Sequence, residues 1–234
     1  IYMINFIISF IDYFDKIKIL KFFKKNLHNK QINVIDIGAH KGETLKFFLD
    51  NFNVNKIFVF EPNKKLFTKI KKNFIDKRIH LFNFGVGLKN ERKNLNLTID
   101  SASSTINEIN TNTEYFKRKK KFLVFGKKKS FFLGVQDIEV VNLSEFILNK
   151  EKKIDILKID TEGYEYEVLK GAINSFKNHR IRHVMLERQL SDMYLNYNFK
   201  NIEKFLYKND FIHTKTFRFP LALFEDRIYT LKKK

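Results

Sequence analysis

The sequence predicts an α/β fold: a mostly parallel seven-stranded sheet with helices on both faces and an added N-terminal helix. Three observations predict it. Short apolar runs alternate with helix-length amphipathic patterns from Gln31 onward, several of these runs end in an acid or a glycine, and a glycine-containing loop joins the first run to the first helical pattern. Such alternation calls for parallel strands joined by crossover helices, with a ligand crevice at the strand C-termini. At 234 residues with 44% apolar content the chain can bury a full core. It divides into a helical extension over 1–30 and one domain over 31–234, with a variable basic insertion at about 100–136.

The extension carries Ile4, Ile7, Ile8 and Ile11 at the spacing of one helix face. Asp12 and Asp15 interrupt it well before the roughly 18 apolar residues of a membrane span, so no transmembrane helix is expected. No basic region precedes the apolar part and no small-residue cleavage site follows it, which argues against a signal peptide. The helix packs on the domain or on a second subunit, giving a homo-oligomer; binding at a membrane surface is the alternative. In the domain the pattern predicts strand 32–37, helix 43–52, strand 56–60, helix 64–74 and strand 78–84. Hairpin-like segments at 91–99 and 137–142 flank the insertion. Strand 154–159, helix 164–176, strand 181–187, helix 200–208 and closing strands near 211–218 and 226–232 follow.

The first loop reads Asp36-Ile37-Gly38-Ala39-His40-Lys41-Gly42, and the second strand ends in Glu61-Pro62, nineteen residues past Gly42. Glycines there let the backbone turn sharply and approach a ligand, and the following helix directs unpaired N–H groups at the same place. A carboxylate ending the second strand can accept hydrogen bonds from both ribose hydroxyls. The loop is D-x-G-x-x-x-G and lacks the middle glycine of G-x-G-x-x-G that admits a pyrophosphate, so a nucleoside without phosphates is favoured over NAD. S-adenosylmethionine is the common one. Asp36, Glu61, Gly85 and Asp160 all fall at strand C-terminal ends, which points to one site.

The segment Leu157-Lys158-Ile159-Asp160-Thr161-Glu162-Gly163-Tyr164-Glu165, continued by Val168-Leu169-Lys170-Gly171-Ala172, resembles the L-K-I-D-x-E-G-x-E-x-x-V-L-x-G-A signature of the FkbM-type methyltransferases. Glu61-Pro62, Phe84-Gly85-Val86-Gly87-Leu88 and Val184-Met185-Leu186-Glu187-Arg188 agree with it in order, and the resemblance runs from about Ile32 to about Arg188. It implies a Rossmann-like class I fold, S-adenosylmethionine as cofactor, and methylation of a hydroxyl on a sugar, a glycan or a secondary metabolite. It implies cofactor binding by Asp36, Gly38, Ala39, His40, Gly42, Glu61, Gly85, Val86 and Asp160. A serine-rich turn lies near the methyl-transfer site in related proteins, which marks Ser103 and Ser104 as acceptor-binding residues. Glu187 and Arg188, ending a strand, join them or form a structural ion pair.

Methylating a hydroxyl requires holding the oxygen about 3 Å from the methyl group and removing a proton. Asp160 and Glu162 are the candidate bases, being a strand-end acid and an acid at the following helix start; acids there also serve as caps favoured by the helix dipole. His40, inside the first loop, is a third candidate catalytic residue. The remaining histidines show no metal-ligand spacing and the chain has no cysteine, so no metal site is expected.

A net charge of +19 raises the question of a polyanionic partner. Only 8 of the 45 basic residues are Arg; the excess of Lys, with abundant Asn, Ile and Phe, is what an AT-rich genome yields, and Lys lacks the fork that reads bases and phosphates bidentately. A basic RNA- or membrane-associated protein, either an RNA methyltransferase or a non-catalytic module, is therefore the alternative reading. In the insertion, Lys117–Lys121 and Lys127–Lys129 flank an apolar tetrapeptide. That segment is either a lid gripping an anionic acceptor or a lysine-rich surface hairpin. With no cysteine and no membrane span, the cytoplasm is the expected location.

Overall fold

The computed structural model describes residues 16–124, 130–148, 151, 153–218 and 224–233. The isoleucine face at 4–11 and Lys127–Lys129 lie outside the described residues.

Seven strands form the main sheet: β1 (Ile32–Ile37), β2 (Val54–Phe60), β3 (Ile79–Phe82), β7 (Ile154–Ile159), β8 (Ile181–Gln189), β9 (Phe211–Arg218) and β10 (Phe224–Leu231), in the order β3-β2-β1-β7-β8-β10-β9. All pairings from β3 to β8 are parallel, and β10 runs antiparallel to both its neighbours. β1 and β7 are buried along nearly their whole length, as strands covered on both faces must be. Their side chains alternate between two cores. Ile35, Ile37, Leu157 and Ile159 face Val168, Leu169, Phe176 and Ile202 of α6 (Glu165–Gly171), α7 (Ile173–Lys177) and α8 (Phe199–Lys208). Val34 and Ile156 face the other way, toward α2 (Glu43–Asn51), α3 (Lys64–Asn73) and helix α1 over 16–27. Ile19, Phe23 and Leu27 put the described part of α1 on the chain's own sheet.

The succession of strands runs outward from β1 to β3 on one side and from β7 onward on the other, so the order reverses at β1, whose neighbours β2 and β7 are both parallel to it. That switch point opens a crevice beyond the strand C-termini. On the far side of the sheet, the fully buried Glu225 of β10 accepts hydrogen bonds from Arg188 (3.1 Å) of β8, Arg218 (2.9 Å) of β9 and Arg227 (2.7 Å) of β10.

Four expectations are corrected. The strand predicted over 78–84 stops at Phe82, and Gly85 opens β4 (Gly85–Gly87) in a second sheet of order β4-β6-β5, with β5 (Glu91–Thr98) and β6 (Phe132–Asn142). Gly85 is therefore at a strand start. The helix predicted over 164–176 is two helices meeting at Ala172, and Gly171 beside the break lies so close to β4 that a Cβ there would sit 1.9 Å from the Gly87 carbonyl oxygen. The described part of the basic segment is a helix, α4 (Glu114–Val124), and not a hairpin; Phe116 anchors it on Phe131, with ring centroids 4.9 Å apart. A helix at Leu143–Leu148, α5, was not expected.

Candidate active site

A cavity of about 460 Å³ occupies the crevice, a size suited to a small ligand. It is lined by Gly38, Ala39 and His40 after β1, Glu61 after β2, Gly85 and Val86 of β4, Ser103 and Ser104 of the serine turn, Asp160 and Glu162 after β7, and Glu187 of β8. Three expected residues are not among the lining ones. Asp36 is fully buried beneath the loop, Gly42 is the N-cap of α2, and Arg188 is held by Glu225.

The glycine loop is built for packing within the protein. Gly38 has φ 80°, and a Cβ there would sit 1.8 Å from the Asp160 carbonyl oxygen; at Gly42, φ 88°, it would sit 2.6 Å from the Phe74 ring. Both glycines are thus demanded by packing within the fold. The loop amides are also committed internally. Gly38 and Ala39 donate to the Phe60 carbonyl, His40 to Glu61, Lys41 to Glu43 and Gly42 to the Ala39 carbonyl. These five loop amides, which precede α2, therefore offer no cradle for a pyrophosphate.

Glu61 accepts from the backbone N–H of His40 and of Asn63, both at 2.8 Å, one on each carboxylate oxygen. Each oxygen keeps a second lone pair. Burial pushes its carboxyl up to about 7, against the pull of those two bonds. His40 has φ 53°, and both its ring nitrogens are engaged: Nε2 meets Ser101 Oγ at 2.8 Å and Nδ1 meets Glu43 at 3.4 Å. His40 therefore braces the loop against the serine turn. Lys119 of α4 closes the same side, bonding Ser103 and lying 3.4 Å from Asp100. Ser104 accepts from the Thr98 amide.

Asp160, Glu162 and Glu187 bring carboxylate oxygens within 4.8 Å of one another. Glu162 sits at φ 53° in the turn before α6 and accepts hydrogen bonds from the Tyr194 hydroxyl and from Gln189 (3.4 Å), whose amide also bonds Glu187. Burial, reinforced by the Asp160 charge, pushes Glu162 up to about 8, against the Tyr194 hydrogen bond. Burial and the charges of Asp160 and Glu162 push Glu187 well above the usual carboxylate range. The capping acid at this helix start is Glu165, which accepts from the Thr161 and Gly163 amides and the Thr161 hydroxyl. Tyr194 and Gln189 escaped the sequence reading because they stand in no motif; only β8 and the loop after it carry them to Glu162.

The profile of the methyltransferase FkbM domain matches residues 36–213, about three quarters of the sequence. The chain belongs to the FkbM methyltransferase family. The FkbM methyltransferase of Methylobacillus flagellatus KT is 13% identical and superposes with a TM-score of 0.55 over 86% of this chain and 43% of that one. This chain thus spans less than half of that protein. A proposed rRNA methylase from Clostridium thermocellum is 10% identical, with a TM-score of 0.51 over 93% of this chain and 96% of its own. At such identities the likeness establishes the fold. No curated protein matches the chain. Among the described residues, no helix is long and apolar enough to cross a membrane.

Proposed function

We propose that this FkbM methyltransferase uses S-adenosylmethionine to methylate an oxygen, a hydroxyl of a sugar, a glycan or a small metabolite. The carrying observation is one cavity with Glu61 at one end and the cluster of Asp160, Glu162 and Glu187 at the other, two to three strand spacings apart, or roughly 10–15 Å. The residues fit the cofactor. Glu61 has free lone pairs for two ribose hydroxyls, Leu66, Phe84 and Val86 offer apolar wall for a base, and the acids complement a cationic centre. When bound, the cofactor supplies an electrophilic methyl group.

The chain's own residues then have separate tasks. Glu61 holds the nucleoside, and the internally bonded Gly38–His40 loop forms the wall it rests on. Asp160 accepts the proton of the acceptor hydroxyl, and Glu162 and Glu187 orient that hydroxyl as hydrogen-bonding partners. The serine turn and Lys119 border the mouth and exclude water. A donor-dependent methylation screen over nucleotide sugars, glycans, small phenols and RNA tests the reading. Transfer to a hydroxyl of the first three classes is expected; transfer to RNA alone would move this protein to the RNA methyltransferases, and no cofactor binding would overturn the assignment.

A further inference from the structure

Asp36, first acid of the glycine motif, does not touch the cavity. Its carboxylate is fully buried and has no hydrogen-bonding partner within normal distance, yet its Oδ1 lies 3.5 Å from the Lys158 ammonium. Lys158 stands on β7 beside Asp36 on β1, in register with it. The same ammonium donates to Asp160 Oδ2 at 3.1 Å and to the Gly38 carbonyl at 3.3 Å. One buried cation therefore spans the acid beneath the loop, the loop itself and the acid at the reaction centre. Burial alone would discharge Lys158, and the charges of Asp160 and Asp36 outweigh it, holding the ammonium protonated.

We propose that Lys158 is a positioning residue: anchored from below by Asp36 and the Gly38 carbonyl, it fixes the direction of the Asp160 carboxylate relative to the cofactor loop. This rests on the methyltransferase reading above. Asp36 then acts through Lys158 and not on the cofactor. The geometry explains why a lysine follows Ile156 and Leu157 on a strand that is buried along its whole length. Both neighbours of its side chain are acids on the strand ends that meet at the switch point, and an apolar residue there would leave Asp36 as an unpaired buried charge. An ammonium with three donors is suited to three acceptors in different directions.

The test uses Asp36→Asn, Lys158→Met and the double variant, which removes the buried charges together and keeps a folded protein in hand. Misplacing a reacting group by about 1 Å can cost on the order of 10²-fold. The double variant is expected to lose about 10²-fold in kcat, with cofactor Kd changed by less than about fivefold. Asp36→Asn, nearly isosteric, is expected to lose about tenfold in kcat with acceptor KM unchanged. Turnover within about threefold of the parent in either folded variant overturns the proposal. A crystal structure of the double variant gives a readout independent of turnover: the Asp160 carboxylate should swing from its parent direction, and an unmoved Asp160 overturns the proposal even if activity has fallen. A parent protein that binds no S-adenosylmethionine counts against the function reading instead, and the position of Asp160 still decides the role of Lys158.

Discussion

Replacing Glu61 with Gln tests the cofactor end of the cavity most directly. The two oxygens of Glu61 each accept one backbone N–H, from His40 and Asn63, leaving one lone pair apiece for a ribose hydroxyl. In the glutamine one oxygen becomes an NH₂ that meets a backbone N–H, donor against donor, and a ribose hydroxyl loses its acceptor. A hydrogen bond to a charged group is worth about 1.5–3 kcal/mol, so S-adenosylhomocysteine should bind roughly ten- to a hundredfold more weakly. Calorimetric titration from pH 5.5 to 8.5 gives the second half of the test. Because burial holds the Glu61 carboxyl near 7, parent affinity should rise as pH increases through about 7, where the better acceptor forms, and the variant should be flat. S-adenosylhomocysteine suits this titration because it lacks the sulfonium charge, which would also act on the acid cluster. The stability sign runs oppositely: a carboxyl raised from 4.5 to about 7 contributes stability that is complete below 4.5 and is lost as pH rises to 7, on the order of 3 kcal/mol. The variant should therefore melt with less pH dependence over that window. Equal affinity in parent and variant, or a pH slope that survives the substitution, refutes the reasoning.

Asp160→Asn should lower kcat by roughly 10²–10⁴ with little change in cofactor affinity, measured by steady-state kinetics beside calorimetry; near-normal turnover would leave Glu162 as the next base to test. Glu162, held near 8, contributes stability that falls as pH rises from 4.5 to 8, so Glu162→Gln should flatten the decline of melting temperature across that range. Gly38→Ala should destabilise the fold by about 3 kcal/mol or more, since its Cβ would sit 1.8 Å from the Asp160 carbonyl at a left-handed φ; denaturant melts read this, and a loss under about 1 kcal/mol would contradict the packing account. Lys119→Gln, at the cavity mouth, should change acceptor KM, whereas Lys120→Gln and Lys121→Gln on the exposed side of α4 should not; equal effects across a salt series would instead mark α4 as a general anion clamp.

The parallel core was legible because β1, β7 and the middle of β8 are covered on both faces and so are written as predominantly apolar runs, whose ends mark the crevice. Family resemblance then placed the glycine loop, Glu61 and Asp160 around it. Region 100–136 was not legible. α4 buries only Phe116 outright, so its helical period drowns in lysines, and Gly85 looks like a strand end until β6 is seen to pair with it. The role of the glycines was legible only in part: a left-handed φ can be inferred from the residue type, but which atom crowds the missing Cβ is a tertiary fact. Likewise Asp36 reads as a ligand-facing acid until Lys158 is found beneath the loop with it.

The place of β10 in the sheet bears on how the protein is made. β9 precedes it in the chain yet meets the other strands only through it, because the order is β8-β10-β9. During synthesis β8 and β9 both precede β10 with open edges, and the guanidiniums of Arg188 and Arg218 stand without the carboxylate of Glu225 until Phe224–Leu231 follows, bringing Arg227 with it. An unpaired edge is a template for pairing with another chain, so the nascent protein is exposed to misassembly in the interval before β10 inserts. Insertion of β10 then joins β9 to the sheet and gives Arg188 and Arg218 their shared carboxylate in a single event. A ribosome stalled between Arg218 and Phe224 should accordingly hold a protease-sensitive, chaperone-binding intermediate whose cofactor end is already formed.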